Sequence, residues 1–256
     1  MQGSLMLDIG GTWLTAEDRQ LLRQPEVAGL ILFARNIECP RQVRELTSLN
    51  GVEDFSLSPD GQQLLVRYSG AYLPPQLAVV PAAGGSARVL TDTRSAEFKA
   101  RQWIQPQLVA VPSKHGAGVV WGKYYGPKTM EAGKRYPIVM FVHGAGYLQN
   151  VTARYPNYFR EQMFHHLLVE RGYIVLDLDY RASEGYGRDW RTAIYRNMGH
   201  PELEDYLDGL DWLVENRQGN RDRAGIYGGS YGGFMTFVAL FQKPGVFKAG
   251  AALRPV

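Results

Sequence analysis

The serine set among glycines in the run Gly228-Gly229-Ser230-Tyr231-Gly232 is the part of this sequence best suited to chemistry. The spacing is GxSxG, and it falls between "AGIY", which reads as a strand, and an apolar stretch from about Gly232 that reads as a helix. A strand that turns directly into a helix strains its central residue and brings neighbouring chain close, so the flanking positions favour glycine. Such a turn would expose the Ser230 hydroxyl as a nucleophile. It would also aim the Tyr231 N–H, at a helix N-terminus, at the oxyanion of an acyl-transfer intermediate. The alternative is a glycine-rich turn that only joins two elements.

A second loop fits the same chemistry. "FVHGAGYLQN" follows an apolar strand with a His-Gly run, the kind of loop that supplies the other oxyanion donor, and the backbone near Gly144 is the better candidate there than His143 as a proton carrier. The other histidines are His115, His165, His166 and His200. His165 and His166 share a helix, where adjacent side chains diverge by about 100°, so at most one is expected to face the core and neither suggests a metal site. His200, before Pro201, reads as a solvated loop residue. Asp177 and Asp179 end a strand, where carboxylates commonly cap neighbouring turns.

The elements that must position these groups change character along the chain. "LMLD" (5–8) and "AGLILFARN" (28–36) read as buried strands around a helix with Thr15 as N-cap and Asp18 at its third position, and Pro40 suits the first residue of a second helix running through Val43 and Leu46. From about Val52 to Ser113 the pattern is a meander. It has a Ser58-Pro59-Asp60-Gly61 turn, a second turn around Gly84 and Gly85, and a third strand pair in "QLVAVPS" and "GVVWGKYYG". From about Tyr136 strands alternate with helices. "PIVMFVH" and "YIVLDLD" are strands, "ELEDYLDGLDWLVENR" is an amphipathic helix, and Phe234, Phe237, Val238 and Phe241 are expected to form the buried face of the helix after Ser230.

Composition narrows the function classes. A 45% hydrophobic chain of 256 residues can build a sizeable core, and a formal net charge of +3 without long basic blocks gives no nucleic-acid footprint. No run approaches the roughly 20 apolar residues of a membrane span. The single Cys39 and an opening that lacks signal-peptide features lead to the expectation of a cytoplasmic protein without metal or other cofactor.

Residues from about 51 to 256 resemble a prolyl oligopeptidase family serine peptidase, the group that includes dipeptidyl peptidases and acylaminoacyl peptidases. The landmarks are "SPDGQQLLV", "RYPIVMFVHGAG", "DYRASEGYGRDW", "ELEDYLDGLDWL" and "GGSYGGFMTFVAL". The resemblance implies hydrolysis of short peptides, with Ser230 as nucleophile in an elbow of Gly228, Gly229 and Gly232. Tyr231, His143 and Gly144 would form the oxyanion hole, and Tyr231 would line the pocket beside the scissile bond. The family's triad continues with Asp and then His, yet the 26 residues after Ser230 hold neither. A serine without a base is a weak nucleophile, so little or no turnover is expected.

Residues 1 to about 48 closely resemble the start of a bacterial β-N-acetylhexosaminidase that trims cell-wall sugars, a (β/α)8 barrel. Such a barrel needs about 250 residues, so Asp8, Arg35 and Asn36 read as strand-end and turn residues. The expected organisation is therefore an α/β chimera. It joins a (β/α) fragment (1–48), partial β-propeller blades (49–113) and the N-terminal part of an α/β-hydrolase sheet (114–256), with the seam near 44–50. The expected partners are a peptide substrate if the chain is active, and other copies through unpaired sheet edges, with no nucleic acid and no membrane. A glycoside hydrolase by its N-terminus and a non-catalytic chimera are the competing readings.

Overall fold

The computed structural model describes residues 5–31, 34–38 and 46–256. Their contacts divide the chain into two units, one of Met1–Ser48, Leu57–Leu64 and Val79–Arg88, the other of Leu49–Ser56, Leu65–Ala78 and Val89–Val256.

In the first unit, β1 (Leu5–Asp8) and β2 (Val27–Ile31) pair in parallel around α1 (Ala16–Leu21). The expected capping is present in full. The Asp18 N–H donates to Thr15 Oγ1 at 3.1 Å and the Thr15 N–H returns to Asp18 Oδ2 at 2.8 Å, which holds the Asp18 carboxyl below the usual range. A 3-10 turn spans Ala34–Asn36. Arg35 pairs with Asp8, and Asn36 Nδ2 donates to the carbonyls of Ile9 and Gly11, which are strand-end and turn duties. The helix expected from Pro40, and Cys39, lie outside the described residues.

The strands β3 (Val52–Leu57), β4 (Gln63–Gly70), β5 (Leu73–Pro81) and β6 (Arg88–Val89) are hydrogen-bonded in chain order. The Ser58–Gly61 turn forms as its residue types dictate: the Gly61 N–H donates to the Ser58 carbonyl at 2.9 Å, and Ser58 Oγ to Asp60 at 2.6 Å.

The second unit contains a six-stranded sheet. After α2 (Ala96–Ala100) come β7 (Gln107–Pro112), β8 (Val119–Tyr125), β9 (Tyr136–Val142), α3 (Phe159–Glu170) and β10 (Ile174–Leu178). Then follow α4 (Arg188–Thr192), α5 (Pro201–Asn216), β11 (Gly219–Gly229), α6 (Tyr231–Gln242) and β12 (Ala249–Leu253). The strand order is β12-β11-β9-β10-β8-β7, parallel from β12 to β10, with β8 antiparallel to both β10 and β7. The third strand pair expected in the meander is thus a hairpin of this sheet, and β7 extends the sheet upstream of the boundary expected at 114. Alternation alone does not say which sheet a hairpin joins.

Successive residues on the central strands face opposite layers. Met140, Leu176 and Leu178 lie in the same buried cluster as Tyr206 and Leu210 of α5, while Phe141 packs against His165 of α3. Burying a side chain such as Leu176 or Leu210 contributes about 1.5–3 kcal/mol. Two expectations about helix faces fail. The first fails by half: Phe234 and Val238 of α6 pack, partly buried, against the core as expected, but the helix buries Tyr231, Met235, Thr236 and Ala239 and leaves Phe237 and Phe241 exposed and stacked on each other at 5.8 Å, because its small residues permit the close approach to the sheet. His165 and His166 are both buried. His165 bonds the Tyr227 hydroxyl at 2.8 Å, and His166 is held by Arg101 Nε and the Ile104 N–H, so α3 is covered on two sides. Among the described residues no helix is long and apolar enough to cross a membrane.

Candidate active site

Ser230 stands where β11 ends and α6 begins, exposed, at φ 57° and ψ −121°. This backbone is strained for any residue with a Cβ, at a cost of about 1–3 kcal/mol. The Ser230 N–H donates to the Leu253 carbonyl of β12 at 2.9 Å, and its own carbonyl accepts from the Phe234 N–H at 3.0 Å. Two of the neighbouring glycines, Gly228 and Gly232, are sterically required. A Cβ at Gly232 would sit 2.0 Å from the Val142 carbonyl oxygen and one at Gly228 2.5 Å from the same atom. Gly229 is under no such pressure, with nothing closer than 3.8 Å.

The loop after β9 lies against this turn, since a Cβ on Gly144 would come within 3.4 Å of the Ser230 Cβ. Ser230, Tyr231, Gly144 and the backbone of His143 are therefore brought together. As the first residue of α6, Tyr231 has an N–H with no acceptor inside the helix. The Gly144 N–H, by contrast, is taken by the Tyr158 hydroxyl at 2.8 Å. The His143 imidazole is fully buried, stacked on Tyr180 at 4.4 Å, with Nε2 at 3.1 Å from Ser183 Oγ and Nδ1 at 2.9 Å from the Gly144 carbonyl. Burial pushes its pKa down and nearby Asp179 pulls it back. This side chain pins the loop and does not face the Ser230 hydroxyl.

Asp179 has the capping duty expected of a strand-end carboxylate: it accepts from the N–H groups of Asn150 and Val151 and from the Tyr186 hydroxyl. His115 pairs with Asp208, and His200 is exposed at the start of α5. Among the described residues no histidine hydrogen-bonds Ser230, and no cluster of His, Cys, Asp and Glu is placed to hold a metal.

A cavity of about 500 Å3 opens beside the serine, lined by Ala145, Tyr147, Ala182, Arg191, Ser230 and Tyr231 among others. Six described non-glycine residues have positive φ, and three of them, Ala145, Ala182 and Ser230, line this cavity. Beneath it the Tyr231 hydroxyl donates to Glu202 Oε1, and Glu202 Oε2 accepts from the Gly199 N–H at 2.9 Å. Burial pushes Glu202 up, offset in part by the Tyr231 hydroxyl. Sequence reasoning missed Tyr158, Ser183 and Glu202. A glutamate in the first turn of a helix ordinarily reads as an exposed dipole partner, so no local signal marks its burial.

The sheet order, the helices against it and the serine at the strand-to-helix turn define an α/β-hydrolase segment. Residues 158–256 match the family model Peptidase_S9, the prolyl oligopeptidase family. Dipeptidyl peptidase 8 of Mus musculus is 33% identical over 157 residues, covering 60% of this chain and 17% of that protein. The solved acylaminoacyl peptidase of Pyrococcus horikoshii superposes with a TM-score of 0.63 at 28% identity, covering 80% of this chain and 31% of that one. At the other end, the N-terminal 46 residues are 87% identical to the beta-hexosaminidase of Pseudomonas aeruginosa (strain LESB58), 18% of this chain and 14% of that protein. The chain thus spans under a fifth of the length of either of these relatives.

Proposed function

We propose that this chain carries the nucleophile-bearing part of a serine peptidase acting on short peptides. Ser230 is the nucleophile, the Tyr231 N–H is one oxyanion donor, and the loop at His143 and Gly144 forms the other wall of the hole. The observation that supports this best is Ser230 itself, exposed in a strained turn at the mouth of a cavity whose walls hold two further strained residues. The reading includes low turnover for the 256-residue chain, because among the described residues no histidine hydrogen-bonds Ser230 and the buried His143 ring is held by Ser183 and the Gly144 carbonyl. The serine then retains only the acceleration that binding and the oxyanion hole supply. A cytoplasmic setting belongs to the same reading, supported by the single cysteine, Cys39.

The test is labelling of the purified, folded chain with a fluorophosphonate probe beside Ser230→Ala, together with turnover of a chromogenic dipeptide substrate. Faint Ser230-dependent labelling with negligible turnover is the expected result. Robust turnover abolished in Ser230→Ala would overturn the low-activity part, and labelling at another residue would overturn the site. The 87% identity of the N-terminal segment favours a second reading, a beta-hexosaminidase-derived product. Release of N-acetylglucosamine from a chromogenic substrate would support it over the first.

A further inference from the structure

Beneath α3, one face of the six-stranded sheet carries a row of residues in register. Lys123 on β8 stands opposite Asp177 on β10, Asp177 opposite Phe141 on β9, and Phe141 opposite Tyr227 on β11. His165 lies over the row, 5.1 Å from the Phe141 ring, with Nε2 at 2.8 Å from the Tyr227 hydroxyl. From the loop that follows Gly144, Asn150 reaches in and donates through Nδ2 to Asp177 Oδ2 at 2.6 Å. Lys123, Asn150, His165 and Asp177 are each at most 4% exposed.

Each of these four residues also has one polar atom without a protein partner: Lys123 Nζ, Asn150 Oδ1, His165 Nδ1 and Asp177 Oδ1. A buried polar atom left unpaired costs about 1–3 kcal/mol, and more when charged. Four such atoms on neighbouring side chains therefore call for a common partner.

The chemistry of the four selects that partner. A cation would meet the Lys123 ammonium and an anion would meet the Asp177 carboxylate, so the ligand is neutral. Two of the orphans, the amide oxygen Asn150 Oδ1 and the carboxylate oxygen Asp177 Oδ1, only accept, while Lys123 Nζ donates and His165 Nδ1 can. The partner needs two donors and two acceptors, the set that a single water molecule carries. Internal waters typically make about three hydrogen bonds of this kind.

We propose that Lys123, Asn150, His165 and Asp177 bind one internal water molecule, which accepts from Lys123 Nζ and His165 Nδ1–H and donates to Asp177 Oδ1 and Asn150 Oδ1. The arrangement fixes the His165 tautomer: the proton sits on Nδ1, and Nε2 accepts from the Tyr227 hydroxyl. It also gives the water a structural task, since Asn150 belongs to the loop that His143 and Gly144 begin. The water ties that loop to β8, β10 and α3 at once. Burial pushes His165 down to about 3, which keeps its ring neutral with a single N–H, as this pattern of bonds requires. Burial likewise pushes Asp177 up and Lys123 down, each drawn back by the other's charge.

The test is a crystal structure of the 256-residue chain, joined to oxygen-17 relaxation dispersion in solution on the wild type and on Lys123→Met/Asp177→Leu, which removes both charges together. The expected result is a density peak within about 3.2 Å of at least three of the four atoms, and loss of one long-lived water in the folded double variant. A direct Lys123–Asp177 contact with no peak beside it would overturn the proposal, as would an unchanged dispersion amplitude in the folded variant. If the double variant does not fold, the wild-type density decides alone.

Discussion

The N–H of Ser230 donates to the carbonyl of Leu253 at 2.9 Å, so the strained turn is anchored to β12 by the same residue that holds the candidate nucleophile. The bond fixes the backbone of a residue that is itself exposed beside the cavity.

Replacing Ser230 with glycine should therefore stabilise the fold. At φ 57° and ψ −121° the Cβ is the source of the strain, and its removal recovers part of about 1–3 kcal/mol, less about 0.5–1 kcal/mol for the added freedom of the unfolded chain. Chemical denaturation should place Ser230→Gly about 1 kcal/mol above wild type and Ser230→Ala close to it. Equal stability of the two variants would mean the turn is not strained as described.

The hydroxyl of Tyr231 supplies one of the bonds that keep Glu202 satisfied in the interior. Tyr231→Phe leaves that carboxylate oxygen without its donor, and a loss of about 1–3 kcal/mol is expected. Glu202→Gln can still accept from the Gly199 N–H through its amide oxygen while its amide N–H donates to the Tyr231 hydroxyl oxygen, so it should cost less. The comparison is a pair of denaturation midpoints, and a neutral Tyr231→Phe would show that the bond contributes nothing.

The elbow was legible in the sequence because its demands are local: Gly228 and Gly232 are needed wherever a strand passes directly into a helix, and GxSxG records that. The capping box of Thr15 and Asp18 was legible for the same reason. The burial of His165 and His166 was not, because helix periodicity assigns one buried face and α3 is covered on two. The aromatic stripe of α6 misled in the opposite sense: Phe237 and Phe241 look like core, yet the close approach of β12 selects the smaller residues. Glu202 lies in the interior through Tyr231, 29 positions away in sequence, and Lys123 stands in register with Asp177, 54 positions away; no window of sequence contains both members of either pair.

Strand β12 ends the sheet order, and four of its five residues are exposed. An edge strand with small apolar side chains and no charge within it is a template for pairing with another chain. Light scattering behind size exclusion should show mass rising with concentration, and Ala251→Lys, which places a charge on that edge, should shift it toward monomer. A wild-type chain that stays monomeric across the range would count against this association.

The pH dependence of stability carries opposing contributions. Burial holds His165 down at about 3 against an ordinary value near 6.5, so below 6.5 the unfolded chain takes a proton that the folded one refuses, and stability falls as pH drops. That contribution reaches about 2.5 kcal/mol between pH 7 and pH 4.5. Asp205, pushed up to about 7 by burial with Arg181 pulling it back, acts in the other direction: its folded form holds a proton between about 4 and 7, so stability rises as pH falls through that window. The two partly cancel in the wild-type curve, and the histidine contribution is read from a difference. His165→Gln keeps a hydrogen-bonding group near the Tyr227 hydroxyl and removes the titration. The stability of wild type relative to this variant should therefore decline steadily from pH 7 to pH 4.5. A difference that stays constant over that range would mean His165 takes up its proton in the folded state as readily as in the unfolded one.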